Sequence, residues 1–383
     1  MTPNLLAVVL AAGLLGSGAG PAAADVPHVK HVFIVVLENQ SESTTFGGKS
    51  QIPYLADTLK RRGAFIPNYY GIAHESLPNY IAMISGQAPT LENQADCQIY
   101  RDVIPGLPTS NGQFIGTGCV YPAGVGTVAT QLEGNGFTWR GYMQDMANSA
   151  PAAPASCRHP SLNSRDSTQS ARRDDQYAAR HNPFVYFHGI IDQPTCRQND
   201  VDLSHLAADL GSKSTTPNYS FITPDLCNDG HDATCADGGP GGMPQANTFL
   251  KGLVPKILRS PAYRDHGLLL ITFDEAEGGS GSGDAAACCG EQPGPNTINP
   301  GAFTRGPGGG KVGAVAVSPC ITPGTVTKDA YNHYSLLRWI EDNFGLPRLG
   351  YAAAAGLQPF GTDVLKHKAK KCRKRKKRGK PRR

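Results

Sequence analysis

"HVFIVVLEN", residues 31–39, is a nearly unbroken apolar run that ends in two polar residues. A run of this kind without polar alternation is typical of a strand buried on both faces of a parallel sheet. A second run, "GLLLITFDEAEGG" at residues 267–279, leads directly into acidic residues. The two stretches predict strands of one α/β sheet, in which ligands bind beyond the carboxyl ends of the strands.

Shorter patterns extend this sheet. Further strands are predicted at residues 64–71, 219–226 and 311–319, and residues 128–143 predict a helix followed by a strand. Helices are also predicted at residues 52–63, 77–85, 247–260 with an interruption at Pro255, and 333–345. Because strands and helices alternate, we expect an α/β fold with a mostly parallel central sheet and helices on both faces.

The start of the chain has the composition of an export signal. Residues 1–24 contain an uncharged apolar stretch followed by three alanines, which is typical of a signal peptide and its cleavage site. The stretch is too short to span a bilayer, which needs about 20 apolar residues. We therefore expect one folded domain at residues 25–365 that is secreted or extracellular, with retention at the cell envelope as an alternative.

The other end of the chain is strongly basic. Residues 366–383 hold 13 of the 36 lysines and arginines and no acid, which leaves 23 basic against 31 acidic residues elsewhere. A block of like charge repels itself, so a disordered tail is predicted. Its charge favours contact with anionic envelope polymers or a membrane surface, and nucleic-acid binding is the less favoured alternative.

Ten cysteines agree with an oxidising destination, where disulfides persist. Nine of them precede the tail, so at most four disulfides form within the body. A bond between Cys227 and Cys235 is favoured because it would hold the loop that carries His231. The adjacent Cys288 and Cys289 are expected to bond to two different partners.

Polar and ionisable side chains follow the predicted strands where each ends. They are Glu38 and Asn39, then His74, Glu75 and Ser76, then Asp225, Asn228, Asp229 and His231, then Asp274 and Glu275, and finally His333 at the last helix. Taken singly, such a carboxylate is usually a turn or cap residue, and Ser76 a helix N-cap. In a parallel sheet they converge at one edge, and together they form the oxygen and imidazole set that divalent cations prefer.

This set suits ester hydrolysis at phosphorus. A divalent cation held by Glu38, Asn39, Asp274 and Glu275 would lower the pKa of the Ser76 hydroxyl and stabilise its alkoxide. The N–H groups at the start of the helix would favour an anionic phosphoryl group beside the serine.

The histidines have three roles open to them. His74, His231 and His333 could bind phosphoryl oxygens, protonate the leaving group, or complete a second metal site. A second metal or phosphate site is assigned to Asp225, Asp229, His231 and His333.

Six segments occur in an order that resembles a known family. They are "FIVVLENQSESTTFG", "HESLPNYIAMISG", "HNPFVYF", "PDLCNDGHD", "ITFDEAEGG" and "YNHYSLLRWIEDNFGL". Over residues 31–348 they resemble the bacterial and fungal phosphoesterases that include acid phosphatase A and the secreted phospholipases C. That family belongs to the alkaline-phosphatase-like superfamily.

The resemblance implies roles for individual residues. It places Glu38 with Asn39, and Asp274 with Glu275, around a metal. The "S-x-P-N" element is similar to the "T-x-P-N" of nucleotide pyrophosphatase relatives, whose threonine is the nucleophile, and this implies that Ser76 is the nucleophile.

Two histidines and one acid also follow from the resemblance. His231 and His333 match histidines of the family motifs. Asp225 stands where many relatives have Asn.

The function implied is that of a secreted metal-dependent phosphoesterase, with residues 25–365 as its phosphoesterase domain. A phosphomonoesterase of the acid phosphatase type is favoured, because the chain resembles the shorter members of the family. The alternative is a phospholipase C acting on phospholipids, and a further one is a non-catalytic binder of envelope polymers or other polyanions. A sulfatase is disfavoured, since its modification signal needs Arg where this chain has Tyr80.

Overall fold

The structure is a computed structural model that describes residues 26–148, 155–232, 234–278 and 283–365. The predicted signal peptide at residues 1–24 and the predicted basic tail at residues 366–383 lie outside the described residues. Among the described residues, no helix combines the length and apolar character needed to cross a membrane.

An eight-stranded sheet forms the centre of the fold. Its strands are β1 (His31–Leu37), β2 (Ala64–Ile66), β3 (Trp139–Met143), β4 (Asp200–Asp202), β5 (Tyr219–Thr223), β6 (Gly267–Phe273), β7 (Ala314–Val317) and β8 (Thr325–Val326). They lie in the order β8-β2-β7-β6-β1-β5-β3-β4. Only β7 pairs antiparallel with its neighbours in this sheet, so the other seven strands share one carboxyl edge.

The two stretches that predicted the sheet lie side by side at its centre. Every residue of β1 and β6 is buried, as expected for strands covered on both faces. The pairing runs in parallel from His31 opposite Gly267 to Leu37 opposite Phe273. The N–H of Asp274 continues this ladder to the carbonyl of Leu37 at 3.0 Å. Glu38 and Asp274 therefore leave the sheet at the same level.

Four longer helices pack around the sheet. They are α1 (Ser76–Ser85), α2 (Val128–Gly134), α3 (Gly242–Arg259) and α4 (His333–Phe344). Shorter helical segments are Glu42–Phe46, Tyr54–Leu59 with Lys60–Arg62, His188–Ile191, Cys196–Asn199, Leu206–Asp209 and Pro261–Arg264. Helices α1, α2 and α4 contact one another, whereas α3 contacts Tyr54–Leu59 and Pro261–Arg264. The α/β fold with a mostly parallel sheet is confirmed.

Two predicted elements were wrong in detail because of proline. The strand predicted at residues 64–71 is divided at Pro67, which has no N–H for the ladder. Its second part, Tyr69–Tyr70, pairs with Tyr331–Asn332 in a separate two-stranded sheet.

Helix α3 is not interrupted at Pro255 but continues through it to Arg259. Proline removes one helical hydrogen bond, here to the carbonyl of Lys251. Lys251 is exposed, so that carbonyl is open to water.

The segment between β2 and β3 carries further small sheets. Ile99–Tyr100 pairs with Ser164–Arg165. Ile104–Pro108 pairs antiparallel with Phe114–Thr117, and we call this unit the 104–117 hairpin.

Four disulfides lie within the described residues: Cys97–Cys119, Cys157–Cys196, Cys227–Cys235 and Cys288–Cys289. The bond predicted between Cys227 and Cys235 is confirmed. The prediction of separate partners for Cys288 and Cys289 was wrong, because they bond to each other. They lie in a turn closed by a hydrogen bond from the N–H of Glu291 to the carbonyl of Cys288.

Candidate active site

Ser76 is presented by a short loop that Asn79 holds in place. The Asn79 side chain accepts hydrogen bonds from the N–H groups of Ile72 at 2.7 Å and Ala73 at 3.1 Å. Its amide donates to the carbonyls of Ala73 at 2.8 Å and Glu75 at 2.9 Å. The asparagine of the "S-x-P-N" element therefore fixes the turn that leads into the serine.

The helix begins one residue earlier than predicted, and Ser76 does not cap it. Glu75 precedes α1 with a φ of 67°, and Ser76 is the first helical residue. The N–H of Leu77 donates instead to the Asp96 carboxylate at 3.0 Å. The anion at this helix N-terminus is thus the protein's own Asp96, and the Ser76 hydroxyl is left for another partner.

That partner is the buried carboxylate of Glu38. Ser76 Oγ donates to Glu38 Oε2 at 2.7 Å, and the Tyr80 hydroxyl donates to Glu38 Oε1. Burial raises the pKa of Glu38 well above its usual value, and the negative charges of Asp274 and Asp229 raise it further. A carboxyl that accepts from a serine and readily holds a proton is suited to act as its base.

The second acidic strand end meets the first through its neighbour. The N–H of Asn39 donates to Asp274 Oδ1 at 3.0 Å, with Asn39 at a φ of 48°. Burial raises the pKa of Asp274 to about 6, although hydrogen bonds, first that from the Asn39 N–H, lower it. The predicted convergence of the Glu-Asn and Asp-Glu pairs is therefore seen in the structure.

Several oxygen atoms of this cluster lack a partner. Asn39 Oδ1, Asp274 Oδ2 and Asp229 Oδ2 are buried without a hydrogen-bond partner among the described residues. A buried acceptor left unpaired is costly, and carboxylate and amide oxygens are the donors that hard divalent cations take. The residues present therefore fit a divalent cation.

Two other groups of ligand-type side chains do not offer such a site. Cys157 and Cys196 lie with Asp200, and Cys227 and Cys235 lie with Asp237, each within 4.8 Å. Both cysteine pairs are disulfide-bonded, so their sulfurs are not thiolates that could bind a metal.

Glu275 and His74 form a buried pair beside this cluster. His74 Nδ1 contacts Glu275 Oε2, and His74 Nε2 lies 3.0 Å from the carbonyl of Asp284. Burial raises the pKa of Glu275 well above its usual value, and the charge of Asp274 adds to the effect. Burial also lowers the pKa of His74. Glu275 thus orients a histidine.

His231 lies at the opening of the site, with half of its side chain exposed. Its ring Nδ1 is 3.4 Å from Asn39 Nδ2. Its main-chain N–H donates to Asp229 Oδ1 at 2.9 Å. Burial lowers the pKa of His231, while the charge of Asp232 raises it. The loop that carries Asp229 therefore places an imidazole next to Asn39.

Of the predicted site residues, Asn39, His74, His231 and Glu275 line the cavity over the site, and the others are buried. His333 is fully buried, with Nε2 2.5 Å from the carbonyl of Asp274 and Nδ1 3.1 Å from the Tyr69 hydroxyl. Burial lowers the pKa of His333 to about 4, so it is neutral. It contacts the main-chain carbonyl of Asp274 and does not line the cavity.

Asp225 is engaged within its own loop. Its Oδ1 accepts from the N–H of Cys227 at 3.1 Å, and from the N–H and side chain of Asn228 at 3.0 Å and 2.8 Å. Burial raises the pKa of Asp225 to about 6.

An open cavity of about 1090 Å³ lies over this cluster. Its lining includes Asn39, Glu75 and Glu275, whose chain neighbours Glu38, Ser76 and Asp274 are buried beneath it. Most of the lining is polar, and its charged residues are Glu42, Glu75, Glu275, Glu277, Asp284 and Lys311. An acid-rich cavity repels a phosphate dianion unless a cation offsets the charge.

Sequence reasoning assigned no role to His181, which contacts the centre of the site. His181 Nε2 lies 3.2 Å from Glu38 Oε2 but is not aligned for a hydrogen bond. The ring stacks on Tyr80 with centroids 5.4 Å apart, and burial lowers its pKa well below the usual value. The segment that begins with His181, "HNPFVYF", resembles the family, but the resemblance assigned no role to any of its residues. Tyr80 had a usable signal, because it is four residues from Ser76 and shares its helix face.

Comparison with known proteins places the chain in a family. Residues 48–347 match the phosphoesterase family, so the chain belongs to that family. It is 26% identical over 362 residues to a phosphatidylinositol-3-phosphatase of Mycobacterium tuberculosis, covering 93% of this chain and 91% of that protein.

It is also 25% identical over 321 residues to a probable acid phosphatase of Kluyveromyces lactis, covering 84% of this chain. The match spans 59% of the length of that relative. Among solved structures, the phosphonate monoester hydrolase SpPMH of Silicibacter pomeroyi aligns at 11% identity with a TM-score of 0.49. That alignment covers 88% of this chain and 77% of the other.

Proposed function

We propose that the protein is a secreted, metal-dependent phosphomonoesterase of the acid phosphatase type with Ser76 as its nucleophile. The observation that carries this proposal is the 2.7 Å hydrogen bond from Ser76 Oγ to Glu38, directly beneath a polar cavity. Family membership and relatives that include a probable acid phosphatase support hydrolysis of phosphoric esters. The four disulfides support an extracellular location.

The reaction proceeds in two displacements. Ser76 Oγ attacks phosphorus while its proton passes to Glu38 Oε2, and the bond from phosphorus to the ester oxygen breaks. Protonated His231 donates a proton to the departing alcohol, which leaves a phosphoserine and a neutral imidazole. Water then attacks phosphorus and gives a proton to His231. Phosphate departs, and Ser76 Oγ regains its proton from Glu38.

Glu38, Asn39 and Asp274 are the residues that would hold a divalent cation, with Ser76 as a further ligand. When bound, the cation polarises the phosphoryl group and favours the serine alkoxide. The unpaired oxygens of Asn39 and Asp274 and the acid-rich cavity support this requirement.

The other predicted site residues position these groups. Glu275 orients His74 towards the cavity, and Asp229 orients the loop of His231. His333 supports the main chain of Asp274, and Asp225 shapes the loop that follows β5. A second metal or phosphate site is not needed for this arrangement.

A monoester is favoured over the diester of a phospholipase C. The cavity has a mainly polar lining, whereas a phospholipase C needs apolar space for two acyl chains beside the scissile bond. One relative is a phosphatidylinositol-3-phosphatase, which supports a phosphomonoester substrate for this chain as well.

The test is hydrolysis of p-nitrophenyl phosphate by the wild-type protein, Ser76→Ala and Ser85→Ala, with and without EDTA. Ser85 is a matched control, since it is a buried serine of the same helix whose hydroxyl donates to the carbonyl of Ile81 at 2.7 Å. We expect Ser76→Ala to lower kcat by at least about a thousandfold and Ser85→Ala to retain activity. Retained turnover in Ser76→Ala would overturn the proposal.

A parallel assay separates the alternatives. Release of diacylglycerol from phosphatidylcholine would indicate a phospholipase C. Failure to hydrolyse either substrate at any divalent cation tested would indicate a binding protein.

A further inference from the structure

A group of large apolar side chains is exposed beside the active site. We call it the apolar rim, and its members are Leu91, Ile104, Leu107, Ile115, Ile298 and Phe303. Ile298 is 91% exposed and Phe303 is 79% exposed. Exposed apolar residues are unremarkable singly, but a contiguous group of them marks an interaction surface.

Four members of the rim are neighbours in space, and a loop connects them to Ile298 and Phe303. Leu107 lies directly opposite Ile115 across the 104–117 hairpin. Leu91, Ile104 and Ile115 line one hollow of about 240 Å³ together with Asn296. The hollow therefore joins the hairpin to the loop that carries Ile298.

That loop runs directly from the hairpin to the active site. At one end, the Asn296 side chain accepts from the N–H of Gly116 at 2.9 Å and donates to the carbonyl of Phe114 at 2.8 Å. At the other end, the carbonyl of Pro300 accepts from the N–H of His74 at 2.8 Å. Phe303, the last member of the rim, lines the active-site cavity itself.

Glu92 lines the hollow beside Leu91, but the two chain segments that carry the other members of the rim have no charged side chain. Residues 103–132 contain no Asp, Glu, Lys or Arg, and neither do residues 292–304. Both segments can thus lose water without leaving an ionised side chain buried. A surface of this composition is suited to contact the apolar boundary of a bilayer.

We propose that the apolar rim is a lipid-interface surface that seats the cavity mouth on an anionic bilayer, so that a phosphomonoester on a lipid headgroup enters the cavity. The substrate class rests on the proposed phosphomonoesterase function, whereas the docking surface does not. Continuity of the rim with the cavity favours a substrate that is itself embedded in the bilayer.

The basic residues of 366–383, and not the acidic body, favour an anionic bilayer as the partner of the apolar rim. Outside residues 366–383 the chain has 31 acidic against 23 basic residues, so the body itself repels an anionic surface as it repels a second copy. The 13 basic residues of 366–383 are complementary to anionic headgroups and would hold the protein near them.

The experiment is co-sedimentation with vesicles of phosphatidylcholine and phosphatidylserine in about 0.5 M NaCl. At that salt the Debye length is about 4 Å, which weakens the contribution of the basic tail. The proteins are the wild type, Leu107→Asp, Ile298→Asp and the double variant. Val326→Asp is the matched control, because Val326 is an exposed apolar residue at 55% exposure on the edge strand β8.

We expect the double variant to bind vesicles at least about tenfold more weakly than the wild type, and Val326→Asp to bind like the wild type. Hydrolysis of p-nitrophenyl phosphate and the Tm should be unchanged in the rim variants, which shows that they are folded. Equal vesicle binding by all variants, or no binding by the wild type, would overturn the proposal. A wild-type dimer that the double variant abolishes would also overturn it, because the rim would then join two copies.

Ser76→Ala separates this proposal from the proposed function. It should bind vesicles like the wild type while it fails to hydrolyse any ester. Activity retained in Ser76→Ala would contradict the serine mechanism and leave the docking result unaffected.

Discussion

The two ends of strand β6 carry aspartates in opposite electrostatic surroundings. Asp265, just before the strand, lies 2.7 Å from Lys213 Nζ and 3.5 Å from Lys30 Nζ. The hydrogen bond from Lys213 is the main cause that lowers the pKa of Asp265 to about 2. Asp274, just after the strand, has no such ion pair among the described residues, and burial raises its pKa to about 6.

This contrast distinguishes the candidate active site from an ordinary ion-paired part of the surface. The protein satisfies Asp265 with its own lysines. At the carboxyl edge it collects Glu38, Asp229 and Asp274, and among the described residues Arg180 acts on Glu38 and Asp229 by its charge but forms its ion pair with Asp96. Burying like charges together is unfavourable, so the fold maintains an edge that a cation from solution would stabilise.

Of the changes that test this contrast, Glu38→Gln has the largest expected effect. The change keeps the shape of the side chain but removes its charge and its ability to take the Ser76 proton. We expect kcat for p-nitrophenyl phosphate to fall by about a hundredfold to a thousandfold. The metal-free variant should nevertheless be at least as stable as the wild type, because one crowded charge is gone. A normal kcat in Glu38→Gln would show that the carboxylate is not part of the reaction.

The next prediction concerns how the Tm depends on pH and on divalent cations. Carboxyl groups whose pKa is raised on folding favour the folded state at low pH, and this contribution is lost as pH rises through the folded pKa, about 6 for Asp274. With EDTA, Tm should therefore rise by at least about 3 °C between about pH 8 and pH 5.5. Divalent cations, tested one at a time, should raise Tm most at the higher pH. A Tm with EDTA that falls over this range would contradict the crowded-carboxylate description.

A smaller effect, on the free energy of unfolding, is expected from a change at Asp265, before strand β6. Asp265→Asn removes an ion pair that is partly exposed, and such pairs contribute about 0.2–1 kcal/mol. Since the pKa of Asp265 is lowered, its contribution is present above the unfolded value and is lost only as pH falls towards about 2. Urea unfolding at about pH 5.5 and pH 8 should give the same small loss, with kcat unchanged. A large loss of activity would remove the distinction between the two ends.

The smallest effect on turnover is expected from deletion of residues 366–383. Hydrolysis of p-nitrophenyl phosphate should stay within about twofold of the wild type, because the small ester needs only the cavity. Binding to anionic vesicles at low salt should weaken, and the difference should shrink as salt is added. Loss of activity on the small ester would show that the division between body and tail is wrong.

The sequence was informative where burial alone decides the structure. The apolar runs of β1 and β6 predicted parallel strands, and parallel strands bring Glu38 and Asp274 to one edge whatever lies between them. Ser76 joins them because β2 has the same direction in the sheet, despite the antiparallel β7 beside it.

Other features depend on tertiary contacts that leave no periodic signal. His181 lies in a short turn and reaches Glu38 only because its ring packs on Tyr80. Asp96 binds the start of α1 from a distant loop, and the partner of Cys288 was set by a local turn.

The most direct test of the account is to trap the enzyme during turnover. Wild-type protein is mixed with a radiolabelled phosphomonoester, quenched in acid and digested, and the labelled peptide is sequenced. The account predicts covalent phosphate on Ser76, absent from Ser76→Ala and present in Ser85→Ala. Covalent phosphate on any other serine, or none on Ser76, would contradict it.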